Sequence, residues 1–220
     1  MPARSSSLPP FLVAKEANAG NEAMQDFFLR WTIECAHQKY ALEYKLLNEY
    51  ARRVVYLMIF GEHDSANEDQ YTVRNSNSKI EYLAESFEIG DITTHRQLNL
   101  IDLVAEITLT NGETYVLNIE NKFYSSIGNN QLEKAKDFIN NRYRNQKKVH
   151  LVIFADSERT YGEKDKSMRL RKRILEAGYK FPSIDFLAKL AGFWEIKNNL
   201  GPYTGNYLFD EFWFKGYRAI

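Results

Sequence analysis

The order of hydrophobic patterns predicts an α/β (α+β) fold: a helix, three meandering strands, a helix, a fourth strand, and then C-terminal helices. Three observations carry this expectation. Two alternating runs meet at an Asn-Gly turn within 99–122, an amphipathic helical pattern leads into the apolar run VHLVIFA at 149–155, and a long helical pattern covers 21–60.

Residues 1–20, rich in Ser and Pro, read as a flexible lead-in to a single domain over 21–220. The pattern from Asn21 to Phe60 fits two helices broken near Cys35 to Lys39. In the second, a projection at about 100° per residue aligns Tyr40, Tyr44, Leu47, Tyr50, Ala51, Val54, Val55 and Met58. Glu43 falls inside that stripe and Glu49 points away. A carboxylate in a buried stripe lies at its edge or has a cationic partner. The polar stretch 61–79 reads as a surface loop, and IEYLAESFEIG at 80–90 as the first strand of the meander.

The hairpin decides the chemistry. Ile101, Leu103, Ala105, Ile107 and Leu109 alternate with Asp102, Val104, Glu106 and Thr108, and Tyr115, Leu117 and Ile119 with Val116, Asn118 and Glu120. A two-residue turn at Asn111-Gly112 would set Leu103 against Glu120, a poor match. A three-residue loop Thr110-Asn111-Gly112, with Gly112 left-handed, pairs Ile107 with Tyr115, Ala105 with Leu117 and Leu103 with Ile119. The opposite face then holds Asp102 across from Glu120, with Lys122 on the same side. Carboxylates so opposed, with Cβ atoms roughly 5 Å apart, repel unless something positive lies between them. A hard divalent cation such as Mg²⁺ meets that need. The spacing alone is equally served by a solvated sheet face with Lys122 as ion partner.

After a connector, Asn129 or Asn130 is a candidate N-cap for a helix from Gln131 to about Arg144. Leu132, Ala135, Phe138 and Ile139 form its inner face, with Gln131 on nearly the same side. The run at 149–155 suits a strand covered on both faces and, after a right-handed crossover, parallel to a neighbour. KDKSMRLRKRILEAGYK at 164–180 reads as a basic helix ending at Gly178. IDFLAKLAGFWEIKNN and NYLFDEFWFKGY read as aromatic-rich helices packed on the core. The basic runs 142–148 and 169–173 are solvated helix faces or phosphate contacts.

Bulk properties narrow the classes. Lys plus Arg and Asp plus Glu each number 29, so no global basic field marks a general nucleic-acid binder. The single cysteine, Cys35, excludes an intramolecular disulfide and a cysteine zinc site, and fits a reducing compartment. His37, His63, His95 and His150 lack metal-ligand spacing. No run approaches the roughly 20 apolar residues of a membrane span, and the N-terminus lacks a secretory core, so a cytoplasmic protein with no membrane partner is expected.

Asp102, then Glu120-Asn121-Lys122 closing the next strand, then Gln131-Leu132 opening the following helix, together resemble the PD-(D/E)XK nuclease superfamily; the wording IENK…NNQLEK looks like one of its bacterial subfamilies. Ile101 stands where the motif's proline would be, and the tyrosine expected after the glutamine is absent. The resemblance implies a restriction-endonuclease-like mixed central sheet flanked by helices. It also implies Mg²⁺-dependent hydrolysis of DNA phosphodiester bonds, with Mn²⁺ substituting, in defence against foreign DNA or in repair. By the same resemblance Asp102, Glu120 and the Asn121 carbonyl bind metal, and Lys122 orients the attacking water. Gln131 supports the site, and Glu43 matches the helical glutamate of many members. Cutting both strands would favour a symmetric homodimer. The competing expectation is a non-catalytic nucleic-acid-binding or protein-interaction subunit that keeps the fold.

Overall fold

A computed structural model describes residues 21–63, 71–73, 84, 86–122, 127–155, 164–192 and 204–216. The expected lead-in at 1–20 lies outside them. Helix α1 (Asn21–Cys35) and helix α2 (Lys45–Phe60) are separated by a short 3-10 turn, Gln38–Tyr40. Asn48 of α2 caps the orphan carbonyls at the end of α1, donating through Nδ2 to Cys35 at 2.9 Å and His37 at 3.0 Å. The stripe of α2 is buried at Leu47, Tyr50, Ala51, Val54, Val55 and Met58. Glu43 departs from expectation. The helix begins two residues after it, so Glu43 sits exposed in the preceding turn, off the buried stripe.

Part of the expected loop at 61–79 is a two-stranded antiparallel ribbon, β1 (Gly61–His63) and β2 (Tyr71–Val73). The first meander strand, β3 (Ile89–Leu98), starts where the expected strand at 80–90 ends; among 80–88 the described residues are not strand. The reason is that β3 is an edge strand. It alternates between half-buried and exposed positions, so its sequence, IGDITTHRQL, shows little apolar contrast.

The central hairpin has the expected register. Strands β4 (Ile101–Leu109) and β5 (Thr114–Lys122) pair Leu103 with Ile119, Ala105 with Leu117 and Ile107 with Tyr115. Gly112, at φ 88°, makes the left-handed step of the loop, and its N–H donates to Leu109 at 2.9 Å. Helix α3 (Gln131–Arg142) then crosses to β6 (Lys147–Phe154), which lies parallel to β5. The result is a mixed four-stranded sheet of order β3-β4-β5-β6. Asn130 is the N-cap of α3 in position, but at φ 56° its side chain makes no capping bond.

Parity along the strands builds two cores. Leu103, Ala105, Ile107, Leu117, Ile119, Leu151 and Ile153 bury one face against α1, α2 and the aromatic C-terminal segment, where Phe209, Phe212 and Trp213 are core as expected. On the other face Val152 and Phe154 meet Leu132 and Ile174, and Val104 and Val116 meet Ala135 and Ile139. Each fully buried aliphatic side chain contributes about 1.5–3 kcal/mol. Basic helix α4 (Lys164–Glu176) ends ahead of Gly178 at φ 77°, as expected, and residues 180–183 then run along the outer edge of β6. Helix α5 (Ile184–Leu190) is shorter than the expected helix, of which 193–199 lie outside the described residues, and α6 (Tyr207–Asp210) leads into a π-helical turn, Glu211–Gly216. No described helix is long and apolar enough to cross a membrane.

Candidate active site

The hairpin ends supply the chemistry. Asp102 is the second residue of β4, and Glu120, Asn121 and Lys122 close β5. Past the last paired residues, Leu103 and Ile119, the strands stay joined through a side chain: Asp102 Oδ2 accepts the Asn121 backbone N–H at 2.8 Å. Glu120 and Lys122, two residues apart on one side of the strand, form an ion pair of 2.5 Å, and both are buried.

Gln131 joins them from the first turn of α3, donating through Nε2 to Glu120 Oε1 at 2.6 Å. One oxygen of Glu120 therefore receives both Lys122 and Gln131. Burial pushes the Glu120 carboxyl up to about 7; the charge of Asp102 adds to this, and Lys122 opposes it. Glu43 is not brought to this cluster; its side chain hydrogen-bonds Tyr44.

A different acid is. Asp26 of α1 accepts from Asn121 Nδ2 at 2.6 Å, and Gln25 donates to the oxygen of the same amide. Arg96 of β3 lies 3.8 Å from Asp26 and over the Phe27 ring. Burial, and then the charge of Asp102, push Asp26 up to about 7, against the pull of Asn121 and Arg96. The sequence offers one weak signal for it: a carboxylate among apolar residues of an amphipathic helix. Packing α1 against the sheet brings that carboxylate to Asn121 and within reach of the charge of Asp102.

A lower layer supports the cluster. Asn118, on the same strand side as Glu120, donates to His150 Nδ1 at 3.0 Å and to the Tyr179 hydroxyl at 2.7 Å. That hydroxyl donates to the Leu132 carbonyl at 2.9 Å, which ties down the turn bearing Gln131. Burial, then Lys136 and Lys148, push His150 down to about 4, so the ring is neutral at pH 7.

Asp26 and Glu120 are buried beside the charge of half-buried Asp102, and their carboxyls stay raised despite Arg96 and Lys122, which suits a cation. Mg²⁺ is commonly bound through one or two carboxylates, with water and phosphate completing its shell. Among the described residues no group of three or more His, Cys, Asp or Glu side chains is gathered to cage a metal. The residues fit a sparsely ligated, hard ion and do not fit a structural zinc. A sequence model described as the PD-(D/E)XK nuclease superfamily matches residues 25–192, a span that begins at Gln25 and contains every residue of the cluster. No curated protein and no solved structure matches the chain.

Proposed function

We propose that this chain, which belongs to the PD-(D/E)XK nuclease superfamily, is a metal-dependent nuclease that hydrolyses DNA phosphodiester bonds. The observation that carries the reading is the buried Glu120 carboxylate, which gives one oxygen to Lys122 and Gln131 while lying against the charge of Asp102. Glu120 and Asp102, whose side chains meet through a hydrogen bond, are the carboxylates that would hold Mg²⁺ or Mn²⁺. In an extended strand a residue's N–H and C=O leave on the same side. The Asn121 N–H reaches Asp102, which supports the Asn121 carbonyl as a further ligand. The role of helical acid falls to Asp26 in this reading, and Glu43 has none.

A bound divalent ion would polarise the phosphoryl oxygen and lower the pKa of a coordinated water. Lys122, held in place by Glu120, sets a compact positive charge where the pentavalent phosphate gains negative charge. In a site this buried the interaction is stronger than in water. Gln131 keeps the Glu120 carboxylate from rotating. With net charge +0, phosphate recognition falls to local cations and the ion.

The test is cleavage of supercoiled plasmid and of labelled single strands with Mg²⁺ or Mn²⁺, comparing the protein with Lys122→Ala. Cutting by the parent and a loss of about 10²–10³ in the variant is expected. A parent that binds DNA and cuts none of these substrates would instead identify a non-catalytic subunit.

A further inference from the structure

Arg173 lies in the basic run of α4, a place where a solvated cation or a phosphate contact is expected. In the structure its half-buried guanidinium is also tied to backbone. Its Nη1 donates to the Ile127 carbonyl at 3.2 Å, and its Nη2 donates to the Gly128 carbonyl. Gln131 grips the same segment: its Oε1 accepts the Gly128 N–H at 3.0 Å.

The Ile127 carbonyl and the Gly128 N–H belong to one planar peptide and point in opposite directions. Arg173 and Gln131 therefore hold the two ends of a single peptide unit. This matters because the two ends of a glutamine amide have nearly the same shape but opposite polarity. A backbone N–H only donates, so it selects the oxygen of Gln131 and turns the NH₂ group toward Glu120. Glycine leaves that peptide free to rotate, and the Asn130 side chain does not cap the helix. The guanidinium fork is what spans two successive carbonyls, a geometry lysine cannot reproduce.

We propose that Arg173 is a positioning residue for the metal site: by fixing the Ile127–Gly128 peptide it makes Gln131 present its NH₂ group to Glu120. The effect on cleavage rests on the nuclease reading; the effect on Gln131 does not.

The experiment is a ¹H–¹⁵N spectrum of the metal-free chain, with the Gln131 side-chain pair assigned by its loss in Gln131→Met. Arg173→Ala should move that pair to the shifts of an exposed glutamine, Arg173→Lys should move it part of the way, and Lys172→Ala should leave it in place. Mn²⁺ affinity, read by electron paramagnetic resonance, should fall about tenfold in Arg173→Ala and in Gln131→Met. The double variant should lose no more than either single one, because both act through the same amide. An unmoved Gln131 pair in Arg173→Ala, or additive losses of affinity, would overturn the proposal. If Arg173→Ala does not fold, Arg173→Lys decides by the same two readouts. A parent that cuts no DNA would remove the nuclease reading and leave the spectrum to decide the role of Arg173.

Discussion

The Asn121 amide donates to the Asp26 carboxyl at 2.6 Å, so the strand bearing Glu120 and Lys122 is fastened to α1 by a buried bond. This contact brings a third acid within reach of the charges on Asp102 and Glu120. The site is therefore built from two levels of structure, a local hairpin and a distant helix, and each makes its own prediction.

Asp26 holds its proton to about pH 7 in the folded chain, against 3.8 in an open one. Between those values the folded state binds more protons than the unfolded state, so the contribution of this group to stability falls as pH rises. Asp26→Asn keeps an acceptor for Asn121 and removes the titration. In chelator, the variant should lose less stability than the parent between about pH 4 and pH 7, by roughly 1–2 kcal/mol or a few degrees in Tm. Calorimetry at several pH values checks this, and parallel curves would refute it.

Glu120 gives the matching prediction for metal binding. Its carboxyl is also raised to about 7, and a cation binds only the deprotonated form, so metal uptake displaces a proton below that pH. Titration calorimetry with Mn²⁺ in two buffers of different ionisation enthalpy should show proton release near pH 6.5 and almost none near pH 8.5. Glu120→Gln should remove most of the affinity and reduce the buffer dependence to the share carried by Asp26.

Gly61 tests the packing of the β1–β2 ribbon on α2. A Cβ there would press into the Leu57 carbonyl and the Tyr71 ring, closer than van der Waals contact allows. The same carbonyl accepts the Tyr71 hydroxyl at 3.0 Å, so neither neighbour is free to move away. Gly61→Ala should destabilise by roughly 1–3 kcal/mol in denaturant melts, with Mn²⁺ affinity of the folded protein unchanged.

Leu100 tests backbone strain. The turn between β3 and β4 sets Asn99 at φ 53° and Leu100 at φ 67°. Asparagine tolerates the left-handed region; leucine does so at a cost of roughly 1–2 kcal/mol. Leu100 is 89% exposed, so its side chain repays little of that by burial. Leu100→Gly should raise Tm by a few degrees, and a lower Tm would show that the turn is held by more than its φ values.

Much of the centre of the fold was legible because its signals are local. Alternation with period two, together with a glycine at the turn, left one register that paired Leu103 with Ile119, and that register set Asp102, Glu120 and Lys122 on one face. The helix opening at Gln131 and the buried strand after it were equally plain, since both faces of β6 are covered and its apolar run is continuous. The edge strand β3 was not, because a half-exposed strand needs little apolar contrast.

The hairpin, its register and the family-like order of Asp102, Glu120, Lys122 and Gln131 follow from residues close along the chain. Which other groups meet them depends on long-range packing. Asp26 on Asn121, Arg173 on the Ile127–Gly128 peptide, and Tyr179 under Leu132 are contacts between residues far apart in sequence. No periodicity records such a meeting. It depends on how helices, whose buried stripes are broad and chemically alike, settle against the two faces of the sheet.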